Sequence, residues 1–158
     1  MTTKPKPFTP REVAIGNVVI KAMSAVNRWI YRATGGRLGG RFPGGAPLLL
    51  LTTIGRKSGQ PRTTPLIFLA DGEDLVVVAS KGGMDHHPLW YTNLVANPDV
   101  EVEVGSAKSL MRARTANAEE KARLWPQLVG LYASYESYQE RTDREIPVVV
   151  LSRREGWR

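Results

Sequence analysis

Along the chain the apolar positions change their spacing once, near residue 47. From Glu12 to about Thr34 the residues Ile15, Val18, Val19, Ala22, Met23, Val26, Trp29 and Ile30 recur at three- and four-residue steps, which predicts an amphipathic helix. The other side of that helix carries Lys21, Arg28 and Arg32 with no acid after Glu12, and the following run TGGRLGGRFPGGAP is too glycine-rich to extend it. Such a helix either docks on the protein's own core or lies on an anionic membrane surface. The pattern divides the chain into a basic helix and linker over 1–47 and a main domain over 48–158.

Beyond the linker the spacing is that of strands. Residues 48–53 and 64–70 flank a basic hairpin, DGED at 71–74 turns the chain, and 75–80 follows as a third strand. Pro88 suits a first helical position and Asn97 with Pro98 a stop, so a short helix carries Trp90, Tyr91 and Asn93. VEVEV at 100–104 alternates as a half-buried antiparallel strand does, and 109–115 gives one more. Asn117 with Glu120 has capping-box spacing and opens a helix that Pro126 is expected to interrupt, with LVGLYASYESYQERTDR as a second helical stretch. IPVVVL at 146–151 closes the pattern as a strand with Pro147 near its start. Six mostly meandering strands with helices placed late predict an α+β antiparallel barrel.

Composition narrows the chemistry. The 158 residues suffice for one domain with a real core, and they include no cysteine, which excludes disulfides, thiolate nucleophiles and sulfur-ligated metals. There is no run of eighteen apolar residues, and MTTKPKPFTPR lacks an apolar signal core, so a cytoplasmic protein is expected. The net charge of +7 is unevenly placed: residues 1–62 hold eleven Lys and Arg against Glu12 alone, and the rest hold eleven against fourteen acids. The asymmetry points to an anionic partner for the first third, or to a solvated basic face.

Three constellations carry candidate chemistry. In GRKSGQPR, Gly55 and Gly59 permit a tight turn, while Arg56, Lys57, Ser58 and Arg62 offer donors to an anion or simply aid solubility. It is no P-loop, because no Gly-Lys-Ser/Thr opens a helix. In SKGGMDHHPLWYTN, a strand end meets Lys81, the pair Gly82 and Gly83, and a helix N-terminus suited to a second anionic group, with Trp90 available for stacking or for core. The third set is Tyr132, Tyr135 and Tyr138, whose spacing by three puts the rings on one helical face. That stripe is either core or the wall of a pocket whose phenols suit a flat, carbonyl-bearing substrate. His86 and His87, adjacent and without cysteine nearby, do not make a metal site, and no GxSxG turn is present.

Taken in order, TTIGRKSGQPRTTPL, ASKGGMDHHPLWYTNLVANPDVEV and WPQLVGLYASYESYQERTDREIPVVVL resemble the deazaflavin-dependent nitroreductase family, whose members reduce quinones with the hydroxydeazaflavin coenzyme F(420). The resemblance runs from about Leu48 to Leu151. It implies a split β-barrel related to flavin-binding pyridoxamine phosphate oxidases, with coenzyme F(420) as cofactor and FMN as the second candidate. It further implies that Arg56, Lys57, Ser58 and Arg62 hold the phosphate and glutamate tail, with Thr63, Thr64, Pro65, Leu66, Ile67 and Phe68 along its path. By the same resemblance Val78, Ala79, Ser80, Lys81 and Gly82 on one side, with Leu89, Trp90, Tyr91, Thr92 and Asn93 on the other, surround the ring and its ribityl chain, and Tyr135 approaches from the late helix. Ser80, Tyr132, Tyr135 and Tyr138 are then expected to hold a quinone-like acceptor. The sequence departs from the familiar pattern at Ile67, Phe68 and Ala133, so the resemblance carries over the coenzyme site and not a particular substrate, and it leaves open whether nitroimidazoles are reduced.

The sequence admits two other readings. The pI near 10 suggests a nucleic-acid binder, against which the cations sit at glycine turns and not along an interleaved aromatic face. No nucleic-acid partner is expected. The second is a membrane-surface or hydrophobic-ligand-binding barrel without redox turnover, and peripheral contact with an anionic membrane through the first helix is compatible with the enzyme as well.

Overall fold

The computed structural model describes residues 9–10, 25–37, 40–41 and 45–154. Seven strands build one antiparallel sheet: β1 (Leu48–Ile54), β2 (Pro61–Ile67), β3 (Leu69–Asp71), β4 (Asp74–Val78), β5 (Asp99–Val104), β6 (Ala107–Thr115) and β7 (Val148–Arg153). The helices are α1, described over 25–34, then α2 (Leu89–Ala96), α3 (Ala118–Leu131) and α4 (Ser134–Arg141), with one 3-10 turn at Lys81–Gly83. In space the strands run β2-β1-β5-β6-β7-β4-β3. The two outermost, β2 and β3, are joined through Phe68 alone, so the sheet has to curl until its edges meet. That curl is the expected split antiparallel barrel.

The runs of adjacent leucines and valines mark strands buried on both faces. From β1, Leu49 and Leu51 point into the barrel with Val77, Val149 and Leu151, while Leu48 and Leu50 point outward against Tyr31 of α1. From β4 and β7, Val76, Val78, Val148 and Val150 point outward against Leu124 and Leu128 of α3 and Tyr135 of α4. Each fully buried leucine contributes about 2 kcal/mol of transfer free energy. On β5 only one face is apolar: Val100 and Val102 are buried, whereas Glu101 and Glu103 pair with Lys108 and Arg32.

Several expectations are corrected. The strand expected at 64–70 is two, because the chain turns at Phe68, whose N–H donates to Pro47 O as β2 passes into β3. The strand expected at 75–80 ends at Val78, and Ala79 instead donates its N–H to Pro147 O. Pro88 is the N-cap of α2, since its ψ of 150° is extended. Asn117 and Glu120 form the capping box, yet α3 continues through Pro126. One missing backbone hydrogen bond costs up to about 3 kcal/mol, and burying Leu124 and Leu128 on either side of it offsets that loss. The helix breaks later, at Tyr132, so the three tyrosines do not share one helix.

Helix α1 docks on the barrel, but not by the expected stripe. Val26 and Trp29 are 60% and 73% exposed, and the buried residue is Tyr31, at 1%. The Tyr31 hydroxyl accepts from Gly105 N–H at 2.6 Å and lies 3.3 Å from both Leu48 O and Glu103 O, capping the ends of β1 and β5. Arg28 donates to Thr63 O and Arg32 to the Glu103 carboxylate, so the side read as polar faces the sheet. The expected stripe residues Ile15 to Met23, and Lys21, lie outside the described residues.

Candidate active site

The barrel end reached by the β1–β2 hairpin, the start of β5 and the start of β7 gathers the three constellations. At the hairpin tip, Gly55 N–H donates to Gln60 O and Gly59 N–H to Gly55 O, both at 2.8 Å, and Ser58 Oγ accepts from Gln60 N–H. The turn is closed by its own backbone, which leaves Arg56, Lys57 and Ser58 exposed together with Arg62 on β2. Among the described residues no carboxylate pairs with Arg56, Lys57 or Arg62, whereas Arg32, Lys108, Arg114, Lys121, Arg123 and Arg154 each have one. Exposed cations on one hairpin with no counter-charge among the described residues favour an anion.

Asn93 ties this tip to α2. Its carboxamide oxygen accepts from Arg56 N–H at 3.2 Å and its amide faces Thr53 Oγ1 at 3.4 Å, both within a residue only 7% exposed. Asn93 is thus a fastener of the cationic turn. Trp90, on the same helix, fills the barrel interior beside Leu49 and Leu51 and presents little surface for stacking. Leu89 is exposed, Thr92 Oγ1 donates to Leu89 O, and Tyr91 Oη lies 2.9 Å from Thr115 Oγ1 while its ring meets His87 at 4.8 Å. Val78 and Ala79 are also buried, so that only their backbone borders the site.

The loop after β4 has an unusual backbone. Lys81, Gly82 and Gly83 take φ of 45°, 62° and 76° in succession. The glycines serve different needs: a Cβ on Gly82 would meet nothing within 4 Å, whereas one on Gly83 would stand 2.6 Å from Tyr138 O. Gly82 borders open space, and Gly83 is where α4 touches the loop. Lys81 Nζ lies 2.7 Å from His86 Nε2, and His86 Nδ1 lies 2.9 Å from the Asp85 carboxylate. With Asp85 ionised, its carboxyl held below the usual range first by the bond from His86, the ring donates to Asp85 and accepts from Lys81.

At the α3–α4 corner the phenols meet despite the break. Ring centroids of Tyr132 and Tyr135 are 5.0 Å apart, those of Tyr132 and Tyr138 6.0 Å, and the Tyr132 and Tyr138 hydroxyls are 2.9 Å apart. Burial pushes Tyr135 far up, and burial with the bond to Tyr132 pushes Tyr138 up to about 12. Both remain protonated near neutral pH. Gly83 against Tyr138 places this cluster next to the loop.

Not every expected residue reaches this end. Thr63 Oγ1 pairs with Thr52 Oγ1 at 2.8 Å, and Thr64 to Ile67 run away from the tip along β2. Phe68 lies at the far end, in the wall of a recess of about 340 Å3 shared with Tyr31, Arg37 and Arg41. Sequence reasoning missed Arg144, which joins the loop to α4. In TDREIP it reads as one more surface charge, and only its partners reveal it.

Comparison with known proteins gives the family and the fold. The family model described as F(420)H(2)-dependent quinone reductase matches residues 23–153. An F(420)H(2)-dependent quinone reductase of Mycobacterium tuberculosis is 50% identical, over 79% of this chain and 86% of its own length. A solved F(420)H(2)-dependent reductase is 41% identical with a TM-score of 0.63, covering 67% of this chain and 94% of that one. A pyridoxamine 5'-phosphate oxidase-like structure from Listeria innocua, 17% identical with a TM-score of 0.50 over 68% of this chain and 84% of that one, shares the fold. This chain belongs to the F(420)H(2)-dependent quinone reductase family.

Proposed function

We propose that this protein uses the reduced deazaflavin coenzyme F(420) to reduce a quinone. The observation that carries the reading is the set of three exposed cations on the β1–β2 hairpin with no carboxylate partner among the described residues, tied at Arg56 through Asn93 to α2, together with the open space beside Gly82. The donor set fits an acidic, phosphate-bearing coenzyme: Arg56, Lys57, Ser58 and Arg62 for its tail, and the Gly82 backbone, with no side chain in the way, for its planar ring. When bound, the reduced coenzyme would supply a hydride, which together with one proton taken from the medium converts a quinone to a quinol without a one-electron intermediate.

The chain's own residues bind, orient and neutralise. Lys81 presents an ammonium at the mouth, held by His86. One hydroxyl of the Tyr132–Tyr138 pair donates within the pair, and the other can direct its proton to an acceptor oxygen as negative charge develops there. Ser80 lies at the start of the glycine turn beside them, and Tyr135, 5% exposed, supports the two outer rings.

Titration of the purified protein with F(420), followed by oxidation of F(420)H(2) with menadione as acceptor, tests the reading, with FMN as the control cofactor. Lys57→Ala and Arg62→Ala are each expected to weaken coenzyme binding by about tenfold, and the loss should shrink at high salt because these charges are exposed. Normal binding by both variants would remove the tail assignment. Tighter binding of FMN than of F(420) would replace the coenzyme.

The acceptor reading extends to where a quinone is met. Val26 and Trp29 project from α1 away from the barrel while Arg28 and Arg32 of the same helix are turned to the sheet, which leaves an exposed apolar pair suited to peripheral contact with a bilayer. No helix among the described residues is long and apolar enough to cross a membrane. Trp29→Ser is expected to reduce co-sedimentation with phosphatidylglycerol vesicles several-fold and to leave menadione reduction in solution unchanged. Equal co-sedimentation of variant and parent would remove the membrane contact.

A further inference from the structure

We propose that Arg144 is the positioning residue of the coenzyme site, a guanidinium clamp that holds the Ala79–His87 loop in the shape that opens Gly82 and aims Lys81. The inference deepens the deazaflavin reading and rests on it for the identity of the ligand.

The geometry is that of a planar fork used on all sides. Arg144 Nε donates to Met84 O at 2.8 Å, Nη2 to Ser80 O at 2.8 Å and to Ala79 O at 3.3 Å, and Nη1 to Ala79 O at 3.2 Å and to His87 Nδ1 at 3.1 Å. These partners bracket Lys81, Gly82 and Gly83 from both ends. A non-glycine residue at positive φ, as at Lys81, costs on the order of 1–3 kcal/mol and persists only where its surroundings over-determine it. The fork supplies that constraint. An ammonium has three donors and no plane, so lysine cannot reproduce the set.

The clamp is itself anchored on the phenol-bearing helix. Gln139 of α4 donates from Nε2 to Arg144 O and accepts at Oε1 from Ile146 N–H, both at 2.9 Å, and Thr142 Oγ1 accepts from Arg144 N–H. The loop, the clamp and Tyr138 therefore hold one another in register. Among the described residues no carboxylate pairs with Arg144, and its partners are neutral carbonyls and an imidazole. Because guanidinium only donates, His87 Nδ1 must accept, which fixes the neutral ring with its proton on Nε2. Burial first, then the charge of Arg144, holds His87 below the ordinary imidazole range. The opposite charge felt by Arg144 is the exposed Asp85 carboxylate of the same loop, which acts on it through space and not through a direct ion pair.

The test compares Arg144→Ala and Arg144→Lys with the parent in full-length protein. Three readouts are taken: F(420) affinity from fluorescence quenching, hydrogen exchange of coenzyme-free protein, and the His87 titration by NMR. The expected result is a fall in affinity of roughly tenfold or more in both variants, faster exchange confined to residues 79–88, an upward move of the His87 midpoint, and partial recovery of affinity for Arg144→Ala in millimolar guanidinium. Unchanged affinity and loop exchange would overturn the proposal. So would exchange that rises throughout the sheet, or failure of both variants to fold, since either makes Arg144 a general stabiliser. If the parent itself does not bind F(420), the functional reading fails instead, and loop exchange with the His87 midpoint still decides whether Arg144 sets the loop.

Discussion

Gly83→Ala is expected to unfold far more easily than the parent, by on the order of 3 kcal/mol in a urea melt. Two costs add at this position. The backbone sits at φ of 76°, which an alanine tolerates poorly, and the new Cβ would stand 2.6 Å from Tyr138 O and 2.9 Å from Tyr138 Cα. The clashing atoms belong to the main chain of α4, so no rotamer change relieves them. Gly82→Ala is the matched comparison. With φ of 62° and nothing within 4 Å, it should lose only about 1 kcal/mol of stability, yet it places a methyl group where the ring is expected to lie and should weaken F(420) binding. Opposite ranking of the two variants in stability would mean that α4 does not rest on this loop. Equal coenzyme affinity of Gly82→Ala and parent would mean that the open space beside Gly82 is not the ring site.

The two glycines show why the sequence yields some of this site and withholds the rest. An adjacent pair after a strand announces a special backbone, and the cations of GRKSGQPR announce an anion, because both signals are local. Which glycine faces the ligand and which faces a helix depends on where α4 lies, and that is set by contacts some 55 residues apart in the chain. Burial on both faces of β1, β4 and β7 was legible as unbroken apolar runs, and it implied covering layers without saying which helices supply them. Arg144 and Tyr31 carried no such mark. Each is a side chain with a polar tip whose importance comes from backbone groups that converge on it only after folding. Pro126 misled in the other direction, since the local rule that proline breaks a helix yielded to the packing of Leu124 and Leu128.

Tyr132→Phe is expected to lower the turnover number by about a hundredfold while leaving F(420) affinity within a few-fold of the parent. The hydroxyl it removes is 2.9 Å from that of Tyr138, at a corner pressed against the loop through Gly83. Of the two phenols, one spends its proton on the other. A carbonyl gaining electrons can then be met by the remaining proton, and the internal bond orients the donor before the reaction, which makes the stabilisation available without reorganisation. Removing Tyr138 Oη should produce a loss of similar size, and the double variant should be little worse than either alone, because the pair acts as a unit. Tyr135→Phe makes the contrast: its ring is buried under the other two, and its loss of hydroxyl should change turnover by less than tenfold. The pH dependence discriminates further. With Tyr138 pushed up to about 12 and Tyr135 higher still, neither of these two phenols ionises between about pH 6 and pH 9, so neither should contribute a limb to the turnover profile in that range. Additive losses in the double variant, or an alkaline limb that vanishes in Tyr138→Phe, would show that the phenols act separately and not as one paired donor.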